Sequence, residues 1–105
     1  MKFGVMLPHY RQVASVEGIM RVAQEAESMG FDTVWVSEHT AVPDQDVDRF
    51  GLGYYDPFTV LGYVAAVTKQ ITLGTSIIIL PFRNPLHMAQ IAATVDQLSN
   101  GRLIL

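Results

Sequence analysis

A chain of 105 residues with net charge −3, half of it hydrophobic and 16% charged, has the make-up of a soluble globular protein that buries a core rather than of a disordered or fibrous one. Its mild acidity and the lack of a Lys/Arg cluster argue against nucleic acid and against an anionic membrane surface, which leaves a small organic molecule as the expected partner. Without cysteine there is no disulfide framework and no thiolate metal site, no apolar run approaches the ~20 residues that span a bilayer, and Met1-Lys2 leads straight into strand-like residues with no secretory leader, so a cytoplasmic location is expected.

Residues 3–7 form a short apolar run closed by Pro8, as a buried parallel strand would be. A helix follows, capped by Ser15, with Val16, Ile19, Met20, Ala23, Ala26 and Met29 on one face and Gly30 as its left-handed stop. Thr33-Val34-Trp35-Val36 is a second strand, with Trp35 expected in the core, and Ser37-Glu38-His39 is its exit. Residues 40–55, with Pro43, three aspartates, Gly51, Gly53, Tyr54 and Tyr55, read as an irregular excursion. Asp56-Pro57 is a cap followed by proline at the first helical position, and Leu61, Val64, Ala65 and Thr68 line the buried stripe of a helix ending near Lys69. Residues 71–80 form the third strand, where Gly74 and the small residues after it predict a bulge. Asn84-Pro85 repeats the capping device, Met88, Ile91, Ala92, Val95 and Leu98 give the clearest amphipathic stripe, and Asn100-Gly101 turns the chain into a fourth strand at residues 102–105.

Strand-helix-strand repeats imply a parallel sheet. The exits at Pro8-His9-Tyr10, Ser37-Glu38-His39 and Ser76 to Arg83 then share one rim, the side on which α/β folds bind ligands. His39 beside Glu38 is the sharpest candidate there, because imidazole exchanges protons near neutral pH and a carboxylate can hold or tune it. The plain alternative is a loop-bonding histidine. His9 faces the same rim and, taken alone, reads as a hydrogen-bonding loop residue. A metal site of His9, Glu38 and His39 is disfavoured, because neighbouring strand residues point to opposite faces. Arg83 reads as a helix-neighbour ion pair, ahead of a partner for an anionic ligand at the rim, His87 as a surface or helix-packing residue, and Tyr54 and Tyr55 either as a ring cover or as loop anchors. No glycine-rich phosphate loop occurs anywhere, which disfavours a nicotinamide fold.

Four blocks carry a family resemblance: Gly30-Phe31-Asp32-Thr33-Val34-Trp35-Val36-Ser37-Glu38-His39, Ile71-Thr72-Leu73-Gly74-Thr75-Ser76, Pro81-Phe82-Arg83-Asn84-Pro85 and Asp96-Gln97-Leu98-Ser99-Asn100-Gly101-Arg102. In order and spacing they resemble the N-terminal part of the luciferase-like monooxygenase family, whose members are flavin- or deazaflavin-dependent oxidoreductases. The fold this implies is α/β, the N-terminal portion of a TIM (β/α)8 barrel with about four parallel strands and three helices. Such barrels take about 250 residues to close, so residues 1–105 are expected to be an N-terminal half cut at the fourth strand and inactive alone.

The resemblance assigns His39, with Glu38, to proton transfer or to contact with the cofactor ring, and Thr75, Ser76 and Ile77, with His9, to cofactor binding. In several deazaflavin members the Ser76-Ile77 position holds a non-proline cis peptide. The Pro-Phe-Arg-Asn-Pro block leans toward the deazaflavin coenzyme F420 over FMN. No metal is implied. The competing expectation is a non-catalytic half-barrel that self-associates, two copies closing one eight-strand barrel as a homodimer; a plain doubly wound binding domain is a third, weaker option.

Overall fold

The computed structural model describes residues 1–39, 42–51 and 53–105. Four strands, β1 (Gly4–Met6), β2 (Thr33–Ser37), β3 (Thr72–Ile77) and β4 (Leu103–Ile104), pair in parallel in the order β1-β2-β3-β4. Three helices make the crossovers: α1 (Val16–Ser28), α3 (Pro57–Val67) and α4 (Pro85–Leu98), while α2 (Val47–Phe50) is a single turn. Helix α3 lies between α1 and α4 and packs on β2 and β3. Strands paired in sequence order, with the crossover helices in one layer, are the arrangement of a barrel segment; a doubly wound sheet has helices on both faces.

The capping residues act as their sequence context predicts. The Ser15 side chain accepts from Gly18 N–H at 3.0 Å, Asp56 from Thr59 N–H at 2.8 Å, and Asn84 from Leu86 N–H at 2.9 Å, with Pro57 and Pro85 in the first turns that follow. Leu7, Val34, Val36 and Leu73 from the sheet, Ile19, Ala23 and Ala26 from α1, Phe58, Leu61 and Val64 from α3, and Ala92 and Val95 from α4 form one buried core. The amphipathic stripes are only partly covered, since Met29 is 71% exposed in the α1 stripe and Leu98 67% exposed in that of α4.

Three expectations are corrected. Within residues 40–55 there is a 3-10 turn at Asp44–Asp46 followed by α2, so the excursion contains local helix. The third strand stops at Ile77, and Leu80–Phe82 is a 3-10 turn around Pro81, whose missing N–H cannot serve a strand ladder. Trp35 is only half-buried, on the sheet face opposite the core residue Val34, in register with Met6, Gly74 and Ile104. A Cβ at Gly4 or Gly74 would collide with its indole, so both glycines make room for a ring laid across the neighbouring strands. The bulge falls among the small residues after Gly74: Val36 pairs with Thr75 and Ser37 with Ile77, which leaves Ser76 as the extra residue.

Two charged residues fasten the opposite end of the sheet. Arg102 donates to Ala65, Thr68, Ile71 and Ser99 carbonyls and to Thr68 Oγ1, joining the end of α3 to the turn before β4. One Glu27 oxygen accepts the N–H groups of Lys69, Gln70 and Ile71 at 2.6–2.9 Å. Burial opposes its ionisation, but the bonds from Gln70, Ile71 and Lys69, aided by the Arg102 charge, hold the carboxyl below the ordinary glutamate value.

A carboxyl with a depressed folded pKa adds stability above its unfolded pKa and loses it as pH falls through the folded value. Glu27→Gln should therefore cost about 1–2 kcal/mol near pH 7 and flatten the acid limb of stability against pH. Urea titrations of both proteins across that range are the check; an unchanged acid limb would show that the carboxylate charge is not what holds this turn.

Candidate active site

The strand exits meet at one rim, and the two residues of the Glu38-His39 pair separate there: Glu38 is 6% exposed while His39 is open to solvent. This is the alternation expected of neighbouring residues leaving a strand. Glu38 Oε2 accepts from Ile79 N–H at 2.7 Å, and Oε1 accepts from Arg83 at 2.6 Å through Nη2 and 2.9 Å through Nε. Glu38 N–H also donates to Ile77 O at 3.1 Å. Both ends of Glu38 therefore hold the 77–79 segment, immediately after the bulge.

Arg83 continues the clasp to Asp56 Oδ2 at 2.6 Å and lies over the Phe58 ring at 5.2 Å. The sequence reading made it a helix-neighbour ion pair. Its carboxylate partners lie 45 and 27 positions away instead. A signal was present: a cation just before a helix N-terminus is disfavoured by the helix dipole, which calls for a carboxylate from elsewhere. The Glu38 hydrogen bond, opposed by burial and reinforced by Asp56, raises the Arg83 guanidinium above its ordinary pKa. Burial works against the charge of Asp56, but hydrogen bonds from Arg83 and Thr59 keep its carboxyl below the usual range.

His9 is fully enclosed. Its Nδ1 lies 2.8 Å from Leu7 O, and its Nε2 accepts from Ser37 N–H at 3.0 Å with Ser37 O at 2.8 Å. The ring bolts the exit of β1 to that of β2. Thr75 is buried, Ser76 Oγ donates to Val36 O at 3.2 Å, and Ile77 is left 59% exposed. All described peptide bonds are trans, so the cis linkage implied for Ser76-Ile77 is not present. His87 is exposed on the first turn of α4.

Of the two readings of Tyr54, ring cover or loop anchor, the structure shows an anchor, to a partner the sequence did not name. Tyr10 and Tyr54 form an antiparallel bridge, their rings stack at 5.4 Å with 8° between planes, and Tyr54 also meets the His39 ring at 4.7 Å. The returning Gly51 and Gly53, both at positive φ, were the available sequence sign of a tight reversal at this point. No group of three metal-ligating side chains occurs among the described residues, and no described helix is long and apolar enough to cross a membrane.

The rim therefore combines an exposed imidazole, an exposed apolar side chain on a bulge, and a buried ion-pair clasp that holds the segment just after that bulge. Several known proteins are similar to this chain in sequence or in fold. The alkanal monooxygenase alpha chain of Photorhabdus laumondii is 32% identical over 97% of this chain and 28% of its own length. The F420-dependent glucose-6-phosphate dehydrogenase of Amycolatopsis mediterranei is 38% identical over 83% of this chain and 25% of its own. The crystal structure of monooxygenase RslO1 from Streptomyces bottropensis superposes on all of this chain and 32% of its own with TM-score 0.80 and 32% identity. The chain thus spans about a third or less of these relatives. The profile of the luciferase-like monooxygenase family matches residues 1–105, and the chain belongs to that family.

Proposed function

We propose that residues 1–105 are the N-terminal half of a TIM-barrel domain and carry the ring-binding rim of an oxidoreductase that uses coenzyme F420 rather than FMN on a small organic substrate. The observation that carries this reading is the bulge at Ser76, which leaves Ile77 59% exposed opposite Ser37, two residues before solvent-open His39. A planar, largely apolar ring with one polar edge fits such a surface: Ile77 and the backbone of Thr75 and Ser76 bear its face, and His39 meets its reactive edge or the substrate. Bound there, the ring supplies hydride or oxygen chemistry.

The chain's own residues do the rest. His39 moves a proton at an imidazole nitrogen. Glu38, held by Arg83 and Ile79 N–H, keeps the bulge in place, and His9 keeps the wall beside it rigid. The pattern Pro81-Phe82-Arg83-Asn84-Pro85 and the F420-dependent relative at 38% identity favour F420. The described residues include no glycine-rich phosphate cradle, so the phosphate end of the cofactor would be held by other parts of the protein, and the chain alone would be inactive.

Titration of the full-length enzyme with F420 and with FMN, followed by fluorescence, tests this. F420 should bind at least about tenfold tighter. Tighter FMN would overturn the cofactor assignment. Binding of neither would favour a second reading, a non-catalytic half-barrel that pairs with its own copy. That reading is supported by the free edges of β1 and β4 and by the exposure of Met6 and Ile104 on the face that carries Trp35. Light scattering on the 105-residue chain would then show a dimer.

A further inference from the structure

The four aromatic and cationic groups at the first two strand exits are stacked in series. Arg11 Cζ lies 5.6 Å from the Tyr10 ring centroid, Tyr10 stacks on Tyr54 at 5.4 Å, and Tyr54 meets the His39 ring at 4.7 Å and 48°. Behind Tyr10, the enclosed His9 ring makes an edge contact at 5.0 Å and 78°.

The backbone locks this column. Arg11 N–H donates to Gly53 O at 3.0 Å and Tyr55 N–H to His9 O at 3.1 Å, one on each side of the Tyr10–Tyr54 bridge. Arg11 itself adopts φ +60°, a conformation that a non-glycine residue keeps only when its surroundings enforce it. Gly51 packs against it, with space for a Cβ only 3.0 Å from Arg11 Cγ. Two segments about 40 residues apart in sequence are thereby zipped together, and the side chain presented at the end of the zip is Tyr54.

From this we infer that Tyr54 is the positioning residue of His39. A proton-transfer group acts efficiently only when its reacting nitrogen is held in place. The Tyr54 ring supplies a wall on one side of the imidazole, and the Tyr10 stack and the hydrogen-bonded zip keep that wall from yielding. The contact between the two residues is ring to ring. The inference rests on the reading of His39 as the proton-transfer residue, and it adds that the stretch 53–55 sets the orientation of that group.

The test uses the full-length enzyme, histidine-labelled for NMR, with His39 resonances assigned by His39→Gln. In the parent and in Tyr54→Phe, Overhauser contacts between the His39 ring and the residue-54 ring should be present, with turnover within about twofold of each other. In Tyr54→Leu the restricted His39 ring signals should be lost, and kcat should fall about 10- to 100-fold while the cofactor dissociation constant stays within about threefold. If Tyr54→Leu fails to fold, Tyr10→Leu removes the support from behind while leaving Tyr54 in place, and should lower kcat with the same spectroscopic change to a smaller degree. Unchanged His39 signals and kcat in the folded variant would overturn the inference, as would an equal loss in Tyr54→Phe. The two readings fail separately: normal turnover in His39→Gln would sink the catalytic assignment of His39, whereas the NMR arm reports on Tyr54 whatever that result.

Discussion

Replacing His39 by glutamine in the full-length enzyme is expected to lower kcat by about two to four orders of magnitude, the usual share of a positioned acid–base group, with cofactor affinity changed less than about threefold. Glutamine keeps much of the size and hydrogen-bonding capacity of the side chain and removes the proton exchange near neutral pH. Because His39 lies open at the rim while the buried clasp is built by Glu38, Arg83 and Asp56, the substitution leaves that clasp in place and replaces the ring that Tyr54 meets. Steady-state kinetics paired with cofactor titration separate the outcomes. A loss that falls equally on turnover and affinity would make His39 a binding or structural residue.

The largest effect on stability is expected at Arg83. Arg83→Met should destabilise the protein by about 3–5 kcal/mol, the cost of leaving a buried carboxylate without its partner, read as a shift of the urea midpoint at constant slope. The reason is Glu38, whose side chain is 6% exposed and whose Oε1 would keep no cation once the guanidinium is gone. Asp56, with a side chain 45% exposed, is reached by water and should add little. Pairing the change with Glu38→Gln should recover a large part of the loss, since the buried charge is then absent, and the non-additivity of the double-mutant cycle measures the coupling. A loss below about 1 kcal/mol would reduce the clasp to an ordinary surface pair.

How far the chain could be read in advance differs between its parts for definite reasons. The helices announced themselves because their caps are local: Ser15, Asp56 and Asn84 each bind an N–H two or three residues on, an interaction written within a few residues of sequence. The parallel order of the strands followed from the alternation of strand and helix, and the bulge in β3 falls at Ser76, among the small residues after Gly74 that announce it. Gly74 itself has a different reason. It is small to admit the indole of Trp35 from the neighbouring strand, a demand that no local pattern expresses.

The same division runs through the rim. That His9, Glu38, His39 and the Ser76-Ile77 segment share one end of the sheet was determined by the sequence itself, since strand exits of successive parallel units must fall on the same side. That Glu38 turns inward to Arg83 and Ile79 N–H, that His9 is a buried bolt, and that Tyr54, backed by Tyr10, meets the His39 ring were decided only by the tertiary structure. These contacts join residues brought together by chain closure over tens of positions, and their energies depend on burial and direction, which neither composition nor periodicity encodes.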